Sequence, residues 1–143
     1  MKIKILSDKY KEPVKGSKFS ACWDVYAASK NYVDNSNKII KYGLGFAAEI
    51  PVGYKAILRP RSSIYKTGLV LSNSEGIIDS DYRGEWGAVF YNVVPSLPEY
   101  EVGDRIVQME IVPNGEFIHR FGPVESLSET ARGAGGYGST GMK

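Results

Sequence analysis

The stretch Gly76-Ile77-Ile78-Asp79-Ser80-Asp81-Tyr82-Arg83-Gly84-Glu85, continued by Trp86-Gly87-Ala88-Val89-Phe90-Tyr91-Asn92, reads as two apolar runs joined by a tight turn. Two β-branched residues open it, turn-forming Asp, Ser and Gly fill its middle, and the second run returns as a strand. The whole reads as a β-hairpin with an acid at its throat. By strand alternation Asp79 projects at the rim of a sheet, and the neighbouring backbone N–H and C=O groups stay free to meet the polar edge of a ligand such as a base. Asp-Ser-Asp is equally ordinary turn chemistry, and the segment alone does not choose between the two.

Outward from this stretch, short apolar runs alternate with turn signals, and few segments hold a 3.6-residue period. The spacing predicts strands over Lys2 to Leu6, Trp23 to Tyr26, Lys38 to Lys41, Gly45 to Ile50, Tyr54 to Arg59, Val70 to Ser72, Glu85 to Asn92, Arg105 to Ile111 and Glu116 to His119. Turns or loops fall at Asn31 to Asn37, Pro51-Val52-Gly53, Pro95 to Pro98 and Pro113-Asn114-Gly115. One short helical turn is expected around Ser63 to Lys66, closed by Gly68. No internal repeat or domain linker interrupts the pattern. Many short strands in a chain of this size predict an all-β sandwich of the jelly-roll kind.

The far end, Arg132-Gly133-Ala134-Gly135-Gly136-Tyr137-Gly138-Ser139-Thr140-Gly141, is rich in glycine but also carries an arginine, an aromatic ring and two hydroxyls. Glycines let backbone N–H groups approach phosphate oxygens, hydroxyls add hydrogen bonds, and a guanidinium binds phosphate in a bidentate way. That makes a phosphate lid. A P-loop does not fit, because Ser139 stands where its lysine belongs and no helix follows. A solubilising Gly/Ser tail is the alternative, against which Tyr137 and Arg132 argue.

At 143 residues the chain is expected to be one domain that buries a core without disulfides. Cys22 is its only cysteine and His119 its only histidine, which excludes an intramolecular disulfide, a cysteine-based zinc site and Ser-His-Asp catalysis. No apolar run approaches the roughly 18 residues of a membrane span, and the N-terminus lacks a signal-peptide core, so a cytoplasmic protein is expected. Eighteen basic against sixteen acidic residues, with no basic block, give a formal charge of +2 and no footprint for duplex nucleic acid. A small polyanion remains compatible.

Five separated motifs together resemble the trimeric dUTPases, all-β enzymes that hydrolyse dUTP to dUMP and pyrophosphate. They are Ala21-Cys22-Trp23-Asp24-Val25-Tyr26-Ala27-Ala28, then Pro60-Arg61-Ser62-Ser63, then Gly76 to Glu85, then Gly103-Asp104-Arg105-Ile106-Val107-Gln108, and finally the glycine-rich tail. They follow in the family's order and span nearly the whole chain. The resemblance implies a sandwich domain over residues 1–128, a mobile C-terminal arm over 129–143, and a homotrimer with shared active sites. It also implies an activity that limits uracil incorporation into DNA and supplies dUMP for dTMP synthesis.

Roles carry over residue by residue as what the resemblance implies. Asp79 would be the general base that activates a water aimed at the α-phosphorus, since a carboxylate in place needs only to orient and partly deprotonate it. The Tyr82 ring would lie where a 2′-hydroxyl would sit, excluding ribose. The backbone from Gly76 through Ile78 to Asp79, with the amide of Asn73, would read uracil as a pairing partner does, leaving cytosine's amino group mismatched and thymine's methyl group crowded. Arg61, Ser62 and Ser63 would face phosphate, Gln108 would sit near the α-phosphate, and Asp104 with Arg105 would form a structural ion pair. Arg132, Tyr137, Gly138, Ser139 and Thr140 would close over the nucleotide, Tyr137 on uracil and Arg132 on the terminal phosphate. The cofactor implied is Mg²⁺ on the triphosphate, held by Asp24 through water. A turn-capping role for Asp24 and a core role for Tyr82 are the alternatives.

Three positions depart from the family pattern: Cys22 and Ser63 replace glycines, and Tyr137 replaces the commoner phenylalanine. A rival within the same fold is dCTP deaminase, which requires a glutamate where this chain has Val89, a residue that cannot move protons. A rival of another class is a nucleotide sensor that closes its tail on dUTP without cleaving it, and the presence of Asp79 argues against that.

Overall fold

The computed structural model describes residues 1–36, 38–115 and 122–135. Ten strands and one short 3-10 helix follow in order: β1 (Lys2–Ile5), β2 (Trp23–Tyr26), β3 (Ser29–Tyr32), β4 (Ile39–Gly43), β5 (Phe46–Glu49), β6 (Tyr54–Pro60), the 3-10 helix (Ser62–Lys66), β7 (Leu69–Leu71), β8 (Gly76–Ile78), β9 (Gly87–Asn92) and β10 (Arg105–Pro113). Two four-stranded antiparallel sheets, ordered β2-β10-β6-β8 and β3-β4-β9-β7, make the sandwich, and β1 pairs with β5 as a separate ribbon. The all-β expectation holds. Among the described residues no helix is long and apolar enough to cross a membrane.

Alternation in the strands builds the core. Ile40 and Tyr42 of β4 and Ala88 and Phe90 of β9 are buried in one sheet, and Val25, Ala56, Leu58, Val107 and Met109 are buried in the other. Trp86 and Phe46 fill the end of this layer, with ring centroids 5.1 Å apart. Ile106 and Val107 are both buried although adjacent, because the register with β2 shifts between Arg105 and Val107. A bulge of this kind turns two successive side chains inward, and it restores alternation so that Gln108 lies opposite Asp24.

Three expectations are corrected. The segment from Asn31, expected as loop, begins inside β3, which sequence reasoning did not place at all. Ser29-Lys30-Asn31-Tyr32 has no β-branched residue, and tertiary contacts hold it: Lys30 meets Glu99 at 2.9 Å and Glu101 at 2.7 Å, and the Tyr32 hydroxyl donates to Glu99 at 2.8 Å. Gly68 does not close the 3-10 helix, whose C-cap is Thr67. A Cβ at Gly68 would lie 2.9 Å from the carbonyl carbon of Val94 and nearer still to its oxygen, so glycine is needed there for close backbone approach. Asp104 and Arg105 do not pair with each other; Asp104 accepts the Glu101 N–H at 2.7 Å, and Arg105 turns to Asp24. The expected strand over Glu116 to His119 lies outside the described residues.

Glu99 also makes the fold acid-sensitive. Burial pushes its carboxyl up, but hydrogen bonds from Lys30, Tyr32 and Asn92 outweigh this and hold it below its ordinary value. A depressed carboxyl stabilises the fold above its unfolded-state value, and that contribution is lost as pH falls through the folded one. Glu99→Gln is therefore expected to cost about 1–3 kcal/mol at neutral pH and much less below the ordinary glutamate range. Urea unfolding at both pH values measures the difference; an equal cost at both would contradict it.

Candidate active site

The acidic turn sits where the two sheets part. β8 pairs with β6 in one sheet, while β9 pairs with β4 and β7 in the other. The two arms therefore do not form the paired hairpin expected from the sequence; they diverge and leave a cleft between them. Among the described residues β8 ends its sheet, so one of its edges pairs with no described strand. Tertiary pairing of each arm with a different partner outcompetes the local ladder.

Two adjoining hollows occupy this cleft. One, of about 250 Å³, is lined by Lys41, Ile77, Ile78, Asp79, Tyr82, Glu85, Gly87 and Val89. The other, of about 100 Å³, runs between Gly76 with Asn73 on one side and Gly87 to Val89 on the other. The turn leading into β8 is sharp: Ser74 has φ of +59°, and the N–H of Glu75 donates to the Asn73 carbonyl at 2.5 Å. Asp79 is exposed at the mouth, and among the described residues no donor engages its carboxylate. Lys41, Glu85, Gly87 and Val89 were missed by sequence reasoning. The outward phase of Lys41 on β4 was the available signal, since it lies between buried Ile40 and Tyr42.

Arg61, Ser63, Asp24, Arg105 and Gln108 gather elsewhere, around the start of the 3-10 helix and the face of β2 and β10. Arg61 Nε and Nη2 donate to the Asp24 carboxylate at 2.8 and 3.1 Å, and Arg105 Nη1 donates to it at 3.0 Å. Arg61 Nη1 reaches the Ser63 hydroxyl at 3.3 Å, so the serine that replaces glycine braces the guanidinium. Gln108 Nε2 donates to the Pro60 carbonyl at 2.9 Å, which fixes the backbone immediately before Arg61. Ser62 is exposed at the first position of the 3-10 helix.

Neither hollow of the cleft is lined by any residue of this second group. The predicted site residues thus form two clusters within one chain: the cleft with Asp79, Tyr82, Ile78, Asn73 and Gly76, and the cationic cluster around Asp24. Of the tail, Arg132 is exposed in a tight turn, its Nε donating to the Gly135 carbonyl at 2.9 Å. Tyr137, Gly138, Ser139 and Thr140 lie outside the described residues.

Among the described residues no three acidic, histidine or cysteine side chains come together as a metal cage. The Asp24 carboxylate already accepts three guanidinium N–H groups. A carboxylate offers about four acceptor positions, which leaves one for a metal ion or for a metal-bound water.

The dUTPase family profile matches residues 8–141 of the chain. The deoxyuridine 5′-triphosphate nucleotidohydrolase of Nautilia profundicola is 39% identical over 145 aligned residues, covering 99% of this chain and 98% of that relative. The Corynebacterium diphtheriae enzyme of the same name is 39% identical over 132 residues, covering 91% of this chain and 85% of its own length. Among solved structures, the Staphylococcus bacteriophage 80alpha dUTPase with dUPNHPP superposes with a TM-score of 0.80 at 26% identity, over 98% of this chain and 97% of that one.

Proposed function

The chain belongs to the dUTPase family, and on that premise we propose that it hydrolyses dUTP to dUMP and pyrophosphate through a water activated by Asp79. The observation that carries this reading is an exposed carboxylate that no donor among the described residues engages, at the mouth of a cleft whose one wall is a strand edge paired with no other described strand. The β8 edge and the Asn73 amide supply donors and acceptors for uracil. Discrimination then needs no charge, because cytosine presents a donor where uracil presents an acceptor and leaves a wall group unpaired. The Tyr82 ring, in the wall beside Asp79, occupies the position that would crowd a ribose 2′-hydroxyl.

With uracil and deoxyribose in the cleft, Asp79 takes the proton of a water aligned with the α-phosphorus, and the P–O bond to pyrophosphate breaks. Arg61, Ser62, Ser63 and Gln108 hold the phosphate chain. Mg²⁺ on the triphosphate, when bound, draws charge onto itself and improves pyrophosphate as a leaving group. Asp24 would take the donor of a water on that ion, with Arg61 and Arg105 holding its carboxylate in place.

Because the two clusters line different surfaces of one chain, the complete site joins the cleft of one subunit to the phosphate cluster of another and the arm of a third, in a cyclic trimer. The arm, residues 129–143, closes with Arg132 on phosphate and Tyr137 on the base, supported by Gly138, Ser139 and Thr140. Closure excludes water and fixes the reacting geometry. In a cell, this activity keeps uracil out of DNA and provides dUMP for dTMP synthesis.

Pyrophosphate release with Mg²⁺ and dUTP, dCTP, dTTP or UTP in turn tests the reading. Release from dUTP alone is expected; comparable release from dCTP or dTTP would refute the base assignment. Tyr82→Ala is expected to raise kcat/KM for UTP relative to dUTP by about tenfold or more, the scale of discrimination set by small steric changes. An unchanged ratio would place sugar selection elsewhere.

A further inference from the structure

The turn that carries Asp79 and Tyr82 is folded back on itself. The N–H of Tyr82 donates to the Asp79 carbonyl at 3.2 Å, and Arg83 Nη1 donates to the carbonyls of Ser80 at 2.7 Å and Tyr82 at 3.1 Å. The Tyr82 hydroxyl donates to the Glu85 carbonyl at 3.2 Å, which draws the ring across the backbone at residue 84. A Cβ at Gly84 would stand 2.5 Å from Tyr82 Cζ, 3.0 Å from Cε2 and nearer still to the hydroxyl oxygen. The ring therefore rests in the volume that a side chain at residue 84 would fill. Gly84 is not among the glycines with positive φ, so no left-handed backbone conformation requires glycine there. The three atoms nearest to such a Cβ all belong to the Tyr82 ring and its hydroxyl.

The far end of the turn is fixed independently. The Glu85 carboxylate accepts the N–H of Gly45 at 3.0 Å, and Trp86 exchanges backbone hydrogen bonds with the same region, its N–H to Phe46 and its carbonyl from Leu44. Glu85 thus ties the carbonyl that receives the Tyr82 hydroxyl to the connection between β4 and β5. The ring is held from below by the missing side chain of Gly84 and at its tip by an anchored acceptor.

We propose that Gly84 is a positioning residue for sugar selection: it seats the Tyr82 ring against the cleft, and it acts on the choice between deoxyribose and ribose only through that ring. The proposal rests on the reading of Tyr82 as the group that excludes ribose. Gly84→Ala displaces a ring of fixed shape by about an ångström or turns it to another rotamer, since a Cβ cannot sit at such distances. The displaced ring no longer fills the space beside the sugar. UTP then gains on dUTP although no group that touches the nucleotide has been replaced.

The test is a double-mutant cycle on Gly84→Ala and Tyr82→Ala, read as the ratio of kcat/KM for UTP to that for dUTP, with circular dichroism and thermal unfolding as checks on folding. Expected is a rise of about tenfold in each single variant, and in the double variant a ratio no higher than in Tyr82→Ala alone. A structural role at residue 84 would lower both rates together and leave the ratio in place. If Tyr82→Ala raises the ratio and Gly84→Ala does not, the positioning role is overturned and the reading of Tyr82 stands. If neither raises it, Tyr82 does not select the sugar, and the positioning role falls with it. Should Gly84→Ala fail to fold, the double variant decides: recovery of folding once the ring is removed supports the seat, and failure of both variants overturns it.

Discussion

Asp79→Asn is expected to fold and to bind dUTP while losing at least about a hundredfold in kcat, the usual span of a missing general base. The carboxamide keeps the size and the hydrogen-bonding reach of the carboxylate, so the cleft, the β8 edge and the Tyr82 turn stay as they are. It cannot accept a proton from water at neutral pH. The exposure of Asp79 supports this reading, because among the described residues no hydrogen bond or ion pair engages its carboxylate. Calorimetric titration with a non-hydrolysable dUTP analogue separates binding from turnover. Turnover near the wild-type rate would remove Asp79 from the mechanism.

Removal of the chain from Arg132 onward is expected to abolish turnover while leaving a folded sandwich, since this segment contributes no residue to the core cluster among the described residues. The larger expectation concerns the truncated chain together with Asp79→Asn. Each is inactive by itself. Unfolded, mixed at equal amounts and refolded together, they form assemblies in which about a quarter of the sites take a cleft from a truncated chain and an arm from an Asp79→Asn chain. Activity is expected to return to those sites. If cleft and arm belong to the same chain, every site lacks one or the other, and a confirmed mixed assembly remains as inactive as its parents.

Much of this was legible in the sequence because it is local. The turn from Asp79 to Gly84 announces itself through its residue types, and β4, β6, β9 and β10 through β-branched and aromatic alternation. The rest depends on partners far along the chain. β3 has a sequence with little strand preference and is held by Glu99, which lies 67 residues beyond Tyr32. That β8 and β9 enter different sheets follows from their pairing with β6 on one side and with β4 and β7 on the other, and no single segment records it. Asp104 and Arg105 were expected to pair, yet Asp104 lies in the turn before β10, where it accepts the Glu101 N–H, and Arg105 opens the strand. Arg105 instead meets Asp24, 81 positions away, and Arg61 meets the same carboxylate, although the three motifs are far apart. Gly84 was legible only as a turn residue; its closeness to the Tyr82 ring is a matter of three-dimensional packing.

Hydrolysis of dUTP in isotopically labelled water tests the central claim most directly, because it reports which phosphorus the water attacks. The account predicts heavy oxygen in the phosphate of dUMP, none in pyrophosphate, and labelled dUMP formed by Asp79→Asn at least about a hundredfold more slowly. Label in pyrophosphate or in inorganic phosphate, or labelled dUMP formed at an undiminished rate by Asp79→Asn, would contradict attack on the α-phosphorus by an Asp79-activated water.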